Sequence, residues 1–338
     1  MSRASPGDAR FIGAAIALAG RSRARTAPNP NVGCVIVAAD GRVVGRGWTQ
    51  PGGRPHAEAM ALAQAGPRAR GATAYVTLEP CAHVSPRGPA CSDLLIAAGV
   101  ARVVAALEDP DPRTAGQGFA RLRAASVRVD TGVGAQAAAR SMAGFLTRRA
   151  ARRPHVTLKL ATSLDGCIAL PDGSSRWITG PQARAHAHLE RSRHDAILVG
   201  RGTYDTDAPR LDVRLPGLED RSPIRVLLSR TRAALPHPAE TPGPAWHVIA
   251  EPRAIAGLPV DHVLVEGGAA VASAFLAADL VDRLLLYRAP ILIGGGKHTL
   301  GDIGLTDLGK AHGRWAIVDS RQLGSDRLEV YERERNEG

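Results

Sequence analysis

The chain has 338 residues, more than one typical domain, and 44% of them are hydrophobic, enough for two cores. Its net charge of +11 is carried almost wholly by arginine, with lysine only at Lys159, Lys297 and Lys310, and no basic stripe is interleaved with aromatics, so nucleic acid is not an expected partner. No apolar run approaches the roughly 20 residues of a membrane span, no signal-peptide core heads the chain, and the four cysteines are too few and too scattered for a disulfide framework, which predicts a soluble, cytoplasmic protein with no membrane partner.

Asp8 is placed to cap a first helix with Phe11, Ala15 and Leu18 on one face. A turn-rich segment, 27–33, then leads into an apolar run at 34–37 that reads as a buried strand. Asp40-Gly41 signals a hairpin, with the returning strand over 42–48. A helix is predicted over 58–65, a strand over 72–78, a helix over 92–98 and a strand over 100–107. Another helix at 119–125 and a short strand at 127–130 complete a mixed α/β unit, expected to occupy residues 1–147.

Within that unit, His56-Ala57-Glu58 stands at a helix start, Pro80-Cys81 follows a strand, and Cys91 precedes the next helix. Imidazole and thiolate are the ligands Zn²⁺ prefers, and three of them leave a fourth tetrahedral position for water, the arrangement of a catalytic site. Zinc lowers the pKa of such a water from about 15.7 to about 7, and a carboxylate two residues from the histidine can take its proton and pass it to a departing amine. His-x-Glu followed by Pro-Cys and a second cysteine is the established signature of the zinc nucleobase deaminases. That signature closes with two residues between the cysteines; here the loop 82–90 stands between them, with the loop-forming composition His83-Val84-Ser85-Pro86-Arg87-Gly88-Pro89.

The charged, proline-ended stretch 148–154 reads as a linker, and the pattern restarts beyond it over 155–338. Strands are predicted at 156–161, 196–199, 224–228, 246–250, 262–265 and 283–287, helices at 181–193 and 269–278, and an antiparallel hairpin from 315–320 and 327–331. No GxGxxG follows a first strand. Glycine-rich turns occur instead at Gly200-Arg201-Gly202-Thr203 and at Glu266-Gly267-Gly268, the latter opening a helix whose first amides can hold phosphate.

Taken together these residues resemble the bifunctional riboflavin-biosynthesis deaminase–reductase family over nearly the whole chain. In the first half the likeness lies in Pro28-Asn29-Pro30-Asn31-Val32-Gly33, His56-Ala57-Glu58, Thr77-Leu78-Glu79-Pro80-Cys81 and Asp109-Pro110-Asp111-Pro112. In the second it lies in Lys159 through Gly166, Ser175-Arg176-Trp177-Ile178-Thr179, Gly202-Thr203 and Val265-Glu266-Gly267-Gly268. In the zinc loop, Val84 through Gly88 replaces the family's usual His-Gly-Arg-Thr-Pro run.

The resemblance implies a cytidine-deaminase-like three-layer α/β/α domain followed by a dihydrofolate-reductase-like α/β domain. One Zn²⁺ would sit on His56, Cys81 and Cys91, with Glu58 moving the proton and Asn31 and His83 binding the pyrimidine and its sugar. NADPH would be lined by Ala161, Trp177, Gly202, Thr203 and Ser229, with Gly267 and Gly268 at its phosphates. Ser175, Arg184, Asp207, Leu211, Arg214 and Glu266 would face the substrate, and Lys159 the reacting centre. The partners implied are phosphorylated pyrimidines and a second copy of the chain. Two other readings stay open here: a zinc deaminase acting on another base, in RNA or as a free nucleoside, with a degenerate second domain; and a non-catalytic nucleotide-binding zinc protein. Glu58 speaks against the last, since a structural zinc site needs no carboxylate beside an open position.

Overall fold

The structure, a computed structural model, describes residues 6–83, 86–232, 235 and 246–335. The chain divides into two units, Met1–Arg152 and Arg153–Gly338.

The first unit contains α1 (Pro6–Ala19), β1 (Gly33–Val37), β2 (Val43–Trp48), α2 (Ala57–Ala65), β3 (Thr73–Val76), α3 (Cys91–Ala97), β4 (Arg102–Ala105), α4 (Gln117–Ala124), β5 (Arg128–Thr131), α5 (Ala135–Ser141) and α6 (Ala143–Ala151). Its sheet has the order β2-β1-β3-β4-β5, with β1 antiparallel to both neighbours and β3, β4 and β5 parallel. Every residue of β1 is buried because helices cover both faces. Cys34 and Ile36 pack in the core with Ala57 and Ala61 of α2, Leu95 of α3 and Phe119 of α4, whereas Val35 and Val37 join Ile12 and Ala15 of α1 and Ala138 of α5. That alternation is the period of two of a strand. It makes three layers, helix on sheet on helix.

Two glycines set α2 against the sheet. A Cβ at Gly47 would lie 2.1 Å from the carbonyl oxygen of Ala57, and one at Gly45 2.1 Å from that of Ala61. The helix therefore lies directly on β2, and its start is held at a fixed height above the strand ends.

The sequence expectations need two corrections here. Asp8 is not a cap: it lies inside α1, is 2% exposed, and accepts hydrogen bonds from Tyr75 Oη (3.0 Å) and from Arg102 Nη1 and Nη2 (2.7 and 3.0 Å). Residues 148–151 are not linker but the last turn of α6, whose Phe145 is buried in the core. Val84 and Ser85 of the zinc loop lie outside the described residues.

The second unit contains β6 (His155–Thr162), β7 (Cys167–Ala169), α7 (Pro181–Arg191), β8 (Ala196–Gly200), α8 (Arg201–Asp207), β9 (Ile224–Leu228), β10 (Trp246–Ile249), β11 (His262–Val265), α9 (Ala269–Ala277), β12 (Arg283–Arg288), β13 (Lys297–His298), β14 (Trp315–Leu323) and β15 (Asp326–Arg333). Its eight-stranded sheet runs β10-β9-β8-β11-β6-β12-β15-β14, parallel through the first six strands and antiparallel in the last two. Phe275 and Ala272 of α9 pack with Leu158, Leu198 and Val265. Ala183 of α7 packs with Leu285, Tyr287 and Leu328. The segment read as a glycine-rich turn after β8 is helical, forming α8.

Candidate active sites

In the first unit, local structure delivers each zinc-type side chain to one point. His56 stands just before α2 in an extended conformation, and Glu58 lies in that helix's first turn. Cys81 follows the end of β3, and Cys91 is the first residue of α3. His56 Nδ1 lies 3.3 Å from Cys91 Sγ and 3.6 Å from Cys81 Sγ, and the three ligand atoms all fall within 4.8 Å of one another. They form the one such metal-ligating group found among the described residues. The nine-residue loop does not spoil the geometry because its ends are tied together. Ser92 donates to the Cys81 carbonyl from both its amide (3.2 Å) and its hydroxyl (3.0 Å), and the Cys91 amide donates to Cys81 Sγ at 3.3 Å.

The electrostatics suit a cation. Cys81 is drawn down to about 4 by its hydrogen bond with the Cys91 thiol, which outweighs its burial, and by His56. Its thiolate form, the one that binds zinc, is thus favoured. The Cys91 thiol is pushed up in return by Cys81 and by burial. Burial pushes Glu58, 3% exposed, up to about 7 against the pull of His56. A donor set of one imidazole and two thiols, with a carboxylate beside it, fits a catalytic zinc with an open position.

The cavity over this cluster is lined by Asn29, His83, Glu79, Asp109, Asp111 and four arginines, Arg54, Arg87, Arg113 and Arg149. His83 lines this cavity too, with Nδ1 3.3 Å from Thr114 Oγ1. Asn31 does not line it. It is 3% exposed, and its amide donates to the Ser141 carbonyl at 3.1 Å and the Ala19 carbonyl at 3.4 Å, tying α1 to α5. Asn29, two residues earlier in the same motif, lines the cavity instead. The arginines were missed because an arginine-rich chain gives no local signal for the few that matter.

In the second unit the singled-out residues gather at the carboxyl ends of adjacent parallel strands, where open α/β sheets bind ligands. Lys159 and Ala161 lie on β6, Gly202 and Thr203 open α8 after β8, Ser229 follows β9, and Glu266-Gly267-Gly268 follow β11. Gly268 caps α9, and a Cβ at Gly267 would come 2.5 Å from Val271 Cβ, so only glycine fits that turn. Burial lowers the Lys159 pKa; Glu266 opposes the shift and Arg191 adds to it. Glu266 itself resists burial and is held to about 2 by Arg191, whose Nε and Nη2 donate to it at 2.8 and 2.9 Å. Arg191 also donates to the Asp212 carbonyl at 3.1 Å.

The other expected contact residues are engaged as follows in the fold. Arg184 is not brought to this cluster: it donates to the Thr179 carbonyl at 2.5 Å and stacks 4.7 Å from the ring of Trp177. Arg191, two turns further along the same face of α7, is the arginine beside Glu266. Leu211 is 5% exposed and packs with Ile197, Val199 and Leu227, so its side chain belongs to the core. Ser229 Oγ is occupied in accepting from the amides of Thr231 and Arg232. Trp177 is 66% exposed, and Ser175 is exposed beside it. Asp207 ends α8 and accepts from Arg176 at 3.2 Å, while the Arg214 amide donates to His188 Nδ1 at 3.2 Å.

Comparison with known proteins fits both sites. Residues 6–107 match the cytidine and deoxycytidylate deaminase zinc-binding region, and residues 154–328 match the RibD C-terminal domain. The riboflavin biosynthesis protein RibD of Escherichia coli (strain K12) is 39% identical, covering 94% of this chain and 97% of the relative. The RibD protein of Mycobacterium tuberculosis is 41% identical over 94% and 95%.

The chain belongs to the RibD family.

Solved structures agree. Acinetobacter baumannii RibD, form 1, is 36% identical with a TM-score of 0.85, covering 97% of this chain and 99% of that one. The diaminohydroxyphosphoribosylaminopyrimidine deaminase/5-amino-6-(5-phosphoribosylamino)uracil reductase of Thermotoga maritima is 32% identical with a TM-score of 0.85 over the same shares. As a member of the RibD family, the chain is a bifunctional enzyme of riboflavin biosynthesis, with a cytidine-deaminase-like zinc domain and a reductase domain that uses NADPH. No helix among the described residues is long and apolar enough to cross a membrane.

Proposed function

We propose that the first unit hydrolyses the ring amine of a phosphoribosylamino diaminopyrimidinone, and that the second reduces the ribosyl group of the deaminated product to ribityl, with the boundary at Arg152–Arg153. The observation that carries the reading is the convergence of His56, Cys81 and Cys91 beside the buried Glu58, under a cavity rimmed by arginines. Zinc held by these three ligands would supply the Lewis acidity that activates a water. Glu58, itself near 7, takes a proton from that water and delivers it to the departing amine. Asn29 and His83 orient the ring, and Arg54, Arg87, Arg113 and Arg149 offer the phosphate its counter-charge.

In the second unit NADPH supplies hydride. Lys159 stands at the reacting end, with Glu266 and Arg191 fixing its charge environment, and Gly267-Gly268 offer the amides of the α9 start to the cofactor's phosphates. Gly202, Thr203 and Ala161 line the cofactor, and Ser175, Asp207 and Arg214 face the substrate. Purified protein given the aminopyrimidine substrate and NADPH should oxidise NADPH only after deamination. Cys81→Ser should lose zinc by metal analysis and lose deamination. NADPH oxidation that persists from the aminopyrimidine without zinc would refute the order of steps.

The enzyme works in the cytoplasm as a dimer on this reading. Among the described residues, the exposed large hydrophobics Leu164, Leu170, Ile291, Leu292, Leu300, Leu305 and Leu308 lie in two segments joined by the β7–β13 pairing, and exposed apolar side chains there suit a cover. Leu292→Glu should shift the mass in light scattering to that of one chain; an unchanged mass would move the contact elsewhere.

A further inference from the structure

We propose that Glu79 is a positioning residue for deamination, clamping the loop 109–119 onto the strand end that carries Cys81. The proposal rests on the deaminase reading of the first unit. Glu79 stands two residues before Cys81 and is 3% exposed. Its Oε2 accepts from the amides of Asp109 at 3.2 Å and Gly116 at 3.0 Å, and its Oε1 from that of Phe119 at 3.1 Å. One carboxylate thus holds both ends of the loop that follows β4. The loop is pressed against the neighbouring residue as well, since a Cβ at Gly118 would lie 2.1 Å from the Pro80 carbonyl oxygen.

What the clamp holds is recognition chemistry. Asp109, Asp111 and Arg113 all line the cavity. Asp109 Oδ1 accepts from the Asp111 amide at 2.9 Å, and Asp111 accepts from Arg113 and Arg149 at 2.6 and 3.0 Å. Thr114, in the same loop, meets His83. Both Glu79 oxygens are committed to backbone amides, so its part is to set the register between this polar loop and the metal ligand next to it. Charge-assisted bonds from three amides are among the stronger ones a carboxylate makes. A glutamine at this position turns an NH₂ donor towards amides that are donors themselves, and at least one of them loses its partner.

The prediction is a split between binding and turnover. In the full-length zinc enzyme, Glu79→Gln should raise KM for the phosphorylated aminopyrimidine on the order of tenfold or more, with kcat changed less than about threefold and one zinc per chain retained. Glu79→Asp, which keeps the charge but not the reach, should fall between. A KM that stays put, a fall in kcat at unchanged KM, or loss of zinc would each overturn the proposal. Should Glu79→Gln not fold, Gly118→Ala pushes the same loop off both Pro80 and the Glu79 carboxylate, whose Oε1 its Cβ would meet at 3.0 Å: a raised KM supports the clamp and an unchanged KM overturns it. Wild-type enzyme runs alongside. If it does not deaminate this substrate at all, the functional reading has failed rather than the role of Glu79.

Discussion

In the first unit, the proposed metal ligands and proton carrier all fall between His56 and Cys91, at two helix starts and beyond one strand end. In the second, the corresponding residues come from β6, α7, β8, β9 and β11, far apart in the chain. A site built from one short stretch declares itself in sequence, because its spacing is its geometry. A site built from the ends of parallel strands is specified by the sheet order, and a single position can shift by two turns of helix without disturbing any motif. The two sites should also fail independently, and three experiments probe that contrast.

The largest effect is expected at Glu58. Glu58→Gln should keep zinc and lower deamination by roughly 10²–10⁴-fold, the range of a general acid–base group, while reduction of the deaminated intermediate continues. Near-normal deamination would assign the proton transfers elsewhere. Next comes Arg191. Arg191→Met leaves Glu266 buried without its guanidinium, a loss on the order of 3–5 kcal/mol. Reduction and the denaturation midpoint of the second unit should both fall, with deamination by the same chain as internal control; undiminished reduction would remove the Arg191–Glu266 pair from the site.

The smallest effect is an acid limb confined to the second unit. Asp282 is buried, which alone would raise its carboxyl, yet hydrogen bonds from Arg153 at 2.6 and 2.8 Å and from the Val156 amide at 2.8 Å help to hold it to about 2, against an ordinary 3.8. The unfolded chain therefore takes up the proton first. The stabilisation, about 2 kcal/mol, is complete above pH 4 and fades as the pH falls towards 2. Urea midpoints of the isolated unit across pH 5 to 2 should show this slope, and Asp282→Asn should flatten it. An equal slope in the variant would place the acid sensitivity on other carboxylates.

Much of this molecule could be read from its residues. The strands announced themselves through apolar runs at Cys34–Val37 and Ala196–Val199, and the zinc cluster through residue type and spacing. Helices α5 and α6 are short, and α5 is mostly alanine; Ala138, Met142, Gly144 and Phe145 are buried, with Leu146 packed against the core. Asn31 is named by the resemblance, and only packing shows that its amide is spent on the Ser141 carbonyl while Asn29 lines the cavity. The same holds for Arg184 and Arg191 on α7: both are arginines on one helix, and the Glu266 carboxylate that distinguishes them lies after a strand more than 70 residues away.

The ties from Ser92 to Cys81 bear on how this enzyme can vary. A chain hung between two anchored points adds length cheaply, about 0.6 kcal/mol for each doubling, so stretching the gap between the cysteines from two residues to nine costs roughly 1 kcal/mol of closure entropy. The metal centre is insulated from that change, while the rim of the cavity is not. Arg87 sits in this stretch and lines the cavity. Insertions here can therefore retune what the mouth admits without touching the chemistry below it, leaving substrate preference free to drift while hydrolysis stays constant.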